Sequence, residues 1–204
     1  MVGGKSMNDK INERNTGRLT PSGFKRMMSK GRGKEPIGKT AYEYAYEILL
    51  ERIGVQREDI STRATRWGEE HEEQAILTLE NKINKAVIPG LHMVSEKPYN
   101  FIGGTPDGII DNEIVVEVKC PENPINHYRN YKTGAQLYEE YMYQIQGYMF
   151  ITGMQKALFI SFDPRFKPEM QLVTISVNRD EDMINNILDR AVLINDFIEN
   201  ELKN

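Results

Sequence analysis

The 204 residues predict an α/β fold, a mixed β-sheet flanked by helices. Two observations carry this. Short runs rich in β-branched and aromatic residues at 101–105, 108–111, 114–120, 156–163 and 170–178 have the length and composition of strands. Apolar positions at helical spacing run through 40–53, 64–81, 134–152 and the C-terminal segment. Strand-like and helical segments follow one another along the chain, as in a sheet covered by helices. The length suffices for one domain with a substantial core, expected over 13–204 after a flexible segment at 1–12.

A hydrophobic fraction of 39% and a charged fraction of 27% are those of a soluble globular protein. No apolar run is long enough to span a bilayer. The polar N-terminus lacks the apolar core of a secretory leader, so a cytoplasmic protein is expected. The single cysteine, Cys120, excludes an internal disulfide framework and a cysteine-ligated iron–sulfur cluster. The net charge of −4 is unevenly spread: residues 1–40 hold ten Lys/Arg against three Asp/Glu, a balance of +7, which leaves −11 for the rest. A basic arm on an acidic body suits a protein that holds phosphates at one place; a solubilising tail is the other reading.

The elements can be justified in order. Thr20 with Pro21 behind it reads as an N-cap and first helical position, with the helix running to about Lys30. A helix N-terminus flanked by hydroxyls is a phosphate site, which Arg14 and Ser22 could complete. Thr40 opens a second helix with Glu43 as its capping-box partner, and Gly54 ends it. In the third, Glu72 falls on the same face as Ala75, Ile76 and Leu79. An unpaired carboxylate there is costly, so either a metal or a lysine lies nearby, or Glu72 reaches water at the boundary. Strand-like 87–88 and 91–97 are expected to join the sheet. Residues 121–133 read as irregular. In the helix at 134–152, Leu137, Tyr141, Gln144 and Tyr148 share one face, so Gln144 points inward and needs a partner. After the strands at 156–163 and 170–178, Asn178 and Glu181 cap a last helix. Its stripe of Ile184, Ile187, Leu188, Ala191, Ile194, Ile198 and Leu202 is either a core face or a subunit contact. His71, His92 and His127 carry no zinc spacing.

The chemistry concentrates in Gly104-Thr105-Pro106-Asp107-Gly108 and in the strand at 114–120. On that strand Ile114, Val116, Val118 and Cys120 share an apolar face, while Val115, Glu117 and Lys119 share the other. The turn at Asp111-Asn112 makes a hairpin that can bring Asp107 beside Glu117. Two converging carboxylates stay ionised only if a cation neutralises them. Hard oxygen ligands of this kind suit Mg²⁺, with Mn²⁺ able to substitute. A neighbouring lysine supplies a further cation. Phosphodiester hydrolysis requires these parts.

Pro106-Asp107 followed by Glu117-Val118-Lys119 resembles the pattern of the PD-(D/E)xK nuclease superfamily. The longer string Thr105-Pro106-Asp107-Gly108 … Glu117-Val118-Lys119-Cys120-Pro121 is similar to the phage lambda exonuclease, or YqaJ-like viral recombinase, family. Three further segments match in order. Arg14 to Ser22 is similar to an Arg-x-Gly-x-Ile-Thr-x-Ser element, with one extra residue between arginine and glycine, so Arg18 competes with the preferred Arg14. Trp67-Gly68-Glu69-Glu70-His71-Glu72 resembles a Trp-Gly-x-x-x-Glu helix. Tyr141-Met142-Tyr143-Gln144-Ile145-Gln146 resembles a Tyr-x-x-Gln-x-Gln helix. The resemblance implies a restriction-endonuclease-like sheet in a single nuclease domain. It implies a Mg²⁺-dependent 5′→3′ exonuclease on linear double-stranded DNA that leaves 3′ single strands for phage-type recombination in a bacterial host. Asp107, Glu117 and the Val118 carbonyl would ligate the metal, with Glu72 supporting it or its waters. Lys119 would position and activate the attacking water, Gln144 and Tyr141 would orient water and phosphate, and Arg14, Ser22 and Thr105 would bind the DNA 5′-phosphate. A ring-shaped homo-oligomer, commonly a trimer, and a single-strand annealing partner are also implied. An endonuclease or nickase of the same superfamily, or a catalytically idle DNA-end-binding protein, are the alternatives.

Overall fold

The computed structural model describes residues 15–31, 37–55 and 62–203, and of 135–138 the backbone alone. In chain order these carry a 3-10 turn, Pro21–Gly23, running into α1 (Phe24–Met27), then α2 (Lys39–Arg52) and α3 (Arg63–Ile83); a second 3-10 turn, Pro168–Met170, comes later in the chain. The strands β1 (Ile88–Pro89), β2 (Met93–Val94), β3 (Gly103–Gly104), β4 (Gly108–Ile110) and β5 (Ile114–Lys119) follow. After them come α4 (Pro124–Thr133), α5 (Ala135–Thr152), β6 (Lys156–Phe162), β7 (Leu172–Asn178) and α6 (Glu181–Glu201).

A five-stranded sheet of order β1-β4-β5-β6-β7 has β5 at its centre. β5 pairs antiparallel with β4 through a tight hairpin and parallel with β6. Parallel neighbours need a long crossover, and α4 with α5 provides it. The mixed sheet expected from the sequence is therefore present.

The alternation of β5 divides the core. Val116 and Val118 pack with Ile160 and Phe162 against Ala75 and Leu79 of α3. Val115, on the other face, packs with Phe159 and Ala157 against Ile145 and Met149 of α5. A third cluster joins Leu19, Phe24 and Ile102 to the inner faces of α2 and α6. Truncating a fully buried residue such as Phe159 is expected to cost about 3–5 kcal/mol. The α6 stripe from Ile184 to Ile198 is buried within the chain, so it is a core face, whereas Leu202 is exposed.

Several expectations need correction. The helix after Thr20 does not reach Lys30: it is one 3-10 turn and one short α-helical segment, and Thr20 makes no side-chain cap. The segment at 121–133 is not irregular. Asn123 accepts from Ile125 N, Pro124 takes the first turn, and α4 runs to Thr133. Only Met93–Val94 of 91–97 is strand, and it pairs with Gly103–Gly104 in a separate two-stranded sheet. α2 starts after Gly38 without a capping box, and Glu43 pairs instead with Lys39. α6 is capped by Asp180, whose side chain accepts from Met183 N. No helix among the described residues is long and apolar enough to cross a membrane. The flexible segment expected at 1–12 lies outside the described residues.

Candidate active site

The site begins with the β4–β5 hairpin. Asp111 and Asn112 both take positive φ, 54° and 57°, and Glu113 N donates to Ile110 O at 3.0 Å. Such a turn suits the twist of a hairpin and tolerates Asp and Asn. It sets the register Gly108↔Val116, which leaves Asp107 just beyond the paired residues at the exit of β5. There the Asp107 carboxylate accepts from Val118 N at 2.6 Å. The corner is tightly walled: a Cβ on Gly90 would stand 1.9 Å from Pro106 O, and one on Gly108 would stand 2.4 Å from Val87.

Glu117 is fully buried on the α5 side. Its Oε1 accepts from Lys119 Nζ at 2.5 Å and from Gln144 Nε2 at 2.6 Å. The partner that the inward-pointing Gln144 needs is thus a carboxylate. The buried Oε2 of Glu117 has no hydrogen-bond partner. Burial first, and the Asp107 carboxylate second, push Glu117 up to about 8. Asp107 is also raised, mainly by burial, with Lys119 and the Val118 N–H opposing. For Lys119 burial works against the charge, but Glu117 and Asp107 outweigh it and raise its pKa. It is an ammonium at neutral pH. Tyr141 presents its ring face to that ammonium, 4.9 Å from the centroid, and stacks on Phe159 behind.

Glu72 reaches the same place from the opposite layer. Burial, then Asp107, push it up to about 7, while Lys119 pulls it down. It lines a cleft of about 720 Å³ with Asp107, Val118, Lys119 and Tyr141. Glu72 is half-buried there, with a lysine near it and the open cleft beside it. Among the described residues no three carboxylate, histidine or cysteine side chains converge tightly enough to cage an ion unaided. The residues present nevertheless fit a divalent cation. Glu117 offers an unsatisfied buried oxygen, and the pKa values of Glu72, Asp107 and Glu117, all raised mainly by burial, mark crowded negative charge that a cation would offset. Mg²⁺ commonly takes one or two carboxylates and completes its shell with water and phosphate oxygens.

The YqaJ-like viral recombinase domain matches residues 10–155, a span that contains Glu72, Asp107, Glu117, Lys119, Tyr141 and Gln144. The chain belongs to the YqaJ-like viral recombinase family. Solved structures agree in fold over nearly the whole length. The alkaline exonuclease LHK-Exo of Laribacter hongkongensis is 24% identical with a TM-score of 0.85, covering 96% of this chain and 94% of its own. Its complex with dAMP gives 26% and 0.84, with 97% and 95% covered. A phage-related exonuclease from Haemophilus somnus 129PT gives 16% and 0.77, with 91% and 95% covered. The comparison with curated proteins found no match.

The residues that the YqaJ-like resemblance assigns to a 5′-phosphate are brought together only in part. Arg14 lies outside the described residues. The chain at Leu19 runs beside Ile102, with Leu19 N donating to Phe101 O at 2.9 Å and Gly103 N to Leu19 O at 3.1 Å. Pro21 then abuts Gly104, next to Thr105. Ser22 is exposed and its hydroxyl lies 3.1 Å from that of Thr20. The Thr105 hydroxyl is buried without a partner. Thr20 N is already used, donating to Tyr44 Oη at 2.9 Å. Arg18 lines a different depression, with Glu51, Arg52 and Glu199.

Other residues of the site escaped the sequence. Gln146 of α5 is structural: it donates to Asn178 O and accepts from Asp180 N, both at 2.9 Å. One wall of the cleft is α4, through Asn126, Arg129 and Asn130. That helix is seated by His127, whose ring nitrogens meet Ser161 Oγ at 2.9 Å and Met170 O at 2.8 Å. The Asn-Pro start of α4 was the available signal. The cross-layer contacts had none.

Proposed function

We propose that this chain is a Mg²⁺-dependent DNA exonuclease, acting 5′→3′ on linear double-stranded DNA and leaving 3′ single-stranded ends. Membership of the YqaJ-like family and the likeness to alkaline exonucleases support DNA exonuclease activity in general. LHK-Exo takes up dAMP, a nucleoside monophosphate of the class that exonucleolytic hydrolysis releases. The observation that carries the reading is the partnerless buried Glu117 Oε2 at the exit of β5, beside Asp107 and the Lys119 ammonium.

Asp107, Glu117 and the Val118 carbonyl would hold the ion, with Glu72 supporting it or its waters. A divalent ion supplies Lewis acidity toward the phosphate and lowers the pKa of water. Lys119, kept protonated, donates to the attacking water and to the charge that builds on the phosphoryl oxygens. Gln144 fixes the rotamer of Glu117, and Tyr141 fixes Lys119 through its ring face. Thr105 and Ser22, with Arg14, would receive the terminal 5′-phosphate. The nuclease domain spans 13–204. A homo-oligomeric ring and a single-strand annealing partner complete the proposal, in the cytoplasm of a bacterial host.

Linear duplex labelled at the 5′ or 3′ end, incubated with Mg²⁺ or with EDTA, tests this. Early release of 5′ label with Mg²⁺ alone is the expected result. Early release of 3′ label would reverse the polarity, and digestion in EDTA would remove the metal. Degradation of covalently closed circles would instead make the protein an endonuclease.

A further inference from the structure

We propose that Arg165 is a positioning residue for Glu72, acting through a stack of three side chains, Arg165, Trp67 and His71, that sets how α3 leans over the cleft. The proposal rests on the nuclease reading above. Of the described side chains of α3, only Ala75 and Leu79 are fully buried, both in its C-terminal half. Residues 63–71 are exposed or half-buried. Glu72 lies just before the half of α3 that carries the fully buried side chains, and a helix end with few buried contacts opens easily.

The anchor for that end comes from the turn that follows β6. The Arg165 guanidinium lies 4.2 Å from the centre of the Trp67 ring. Trp67 in turn stacks on His71, with centroids 3.9 Å apart and planes at 26°. His71 is tied back to the helix by Nδ1, 2.8 Å from Trp67 O. Arg165 itself is rigidly held. Its Nε and Nη2 donate to the two oxygens of Asp163 at 2.8 and 2.7 Å, and its backbone N donates to Oδ1 at 3.0 Å. Nη2 also donates to Glu122 O at 2.9 Å and Pro121 O at 3.3 Å. Pro121 and Glu122 directly follow Lys119 and Cys120. One guanidinium therefore joins the end of β6, the exit of β5 and the face of α3 just ahead of Glu72.

Two features argue that this is more than surface packing. Asp163 is fully buried, and a buried carboxylate is costly unless paired with good geometry. Only a planar fork can grip that carboxylate, two carbonyls and a ring face together, which an ammonium cannot do. A second tie at this end of α3, Arg63 to Glu122 at 2.8 Å, uses an arginine side chain that is 85% exposed and contributes little. Glu72 shares the cleft with Asp107 and Lys119, so a small swing of α3 changes its distance to both.

Trp67 is the single tryptophan of the chain, so its emission reports the stack without DNA or metal. The variants are R165A, W67F, W67L, E72Q, K119A and R165A/E72Q. R165A is expected to change Trp67 emission and to lower kcat about tenfold or more, with KM for linear duplex little changed. W67L is expected to lower kcat similarly, leaving the Arg165–Asp163 pair in place, so it stands in should R165A misfold. W67F keeps a ring under the guanidinium and is expected to stay within about threefold of wild type. R165A/E72Q is expected to be no slower than E72Q, because the two act in one chain. Unchanged Trp67 emission in R165A, multiplicative losses in the double variant, or wild-type kcat in W67L would overturn the proposal. Wild-type rates in both E72Q and K119A would instead overturn the nuclease site. In a protein that cleaves no DNA, the emission of R165A decides alone.

Discussion

Replacing Glu117 by Gln is expected to stabilise the metal-free protein at alkaline pH and to leave it nearly unchanged in mild acid. The Glu117 carboxyl is pushed from 4.5 up to about 8 by burial, then by Asp107, against the pull of Lys119. A folded pKa above the unfolded one means that the folded state holds the proton more tightly. The stability from this group is therefore complete below about pH 4.5 and lost as pH rises through about 8. At about 1.36 kcal/mol per unit, the interval gives a ceiling of about 5 kcal/mol. In a chain of this length about 1 kcal/mol moves Tm by about 2–4 °C, so the ceiling is about 10–20 °C. Water entering the open cleft reduces this, and a gain of about 5 °C or more remains expected. Glutamine keeps the shape and a donor-acceptor pair but does not titrate. Thermal melts in EDTA should coincide for wild type and E117Q at about pH 4.5 and below, separate progressively as pH rises to about 8, and keep a constant gap above it. Glu72 and Asp107 are raised in the same sense and feel the Glu117 charge, so the difference between the two curves reports Glu117 together with its effect on these neighbours. Added Mg²⁺ should narrow the gap by raising wild type. A wild-type Tm that is flat with pH, or an E117Q protein less stable than wild type at about pH 9, would show the reasoning to be wrong.

Further outcomes follow from the same geometry. K119A removes the cation 2.5 Å from Glu117 Oε1, and Mg²⁺-dependent digestion should fall by about a hundredfold or more, read from single-turnover rates. Q144L removes the second donor to that oxygen; about ten- to a hundredfold should be lost, with KM for DNA little affected. T105V deletes a buried hydroxyl that has no partner, so Tm should hold or rise while the preference for 5′-phosphorylated over 5′-hydroxyl ends shrinks. G23A sets a Cβ 2.4 Å from the Tyr44 ring and should cost about 2 kcal/mol or more in denaturant unfolding.

Much of the site was legible because its logic is local. The alternation of 114–120 assigned Glu117 and Lys119 to one face, and the Asp111-Asn112 turn placed Asp107 beside them. The helical phase of 72, 75, 76 and 79 aimed Glu72 inward. Local signals were also misread. The polar composition of 121–133 hides the helix that starts at Asn123-Pro124, and Thr20-Pro21 opens only a 3-10 turn and one short helical segment where its cap signal predicts a long helix. The partner of Gln144 was hidden because a helix face says only that a polar group points inward, not what meets it.

The sequence by itself determined the strand alternation, the hairpin, the main helix faces and the family, since each depends on residues a few positions apart or on an ordered set of short motifs. Only the tertiary structure decided that Glu117 keeps one oxygen unpaired, that Lys119 is held as an ammonium, and that Arg165 reaches across to Trp67. Those outcomes depend on how far water is excluded where β5 lies between α3 and α5. That exclusion is set by packing between segments remote in the chain, and no local pattern records it.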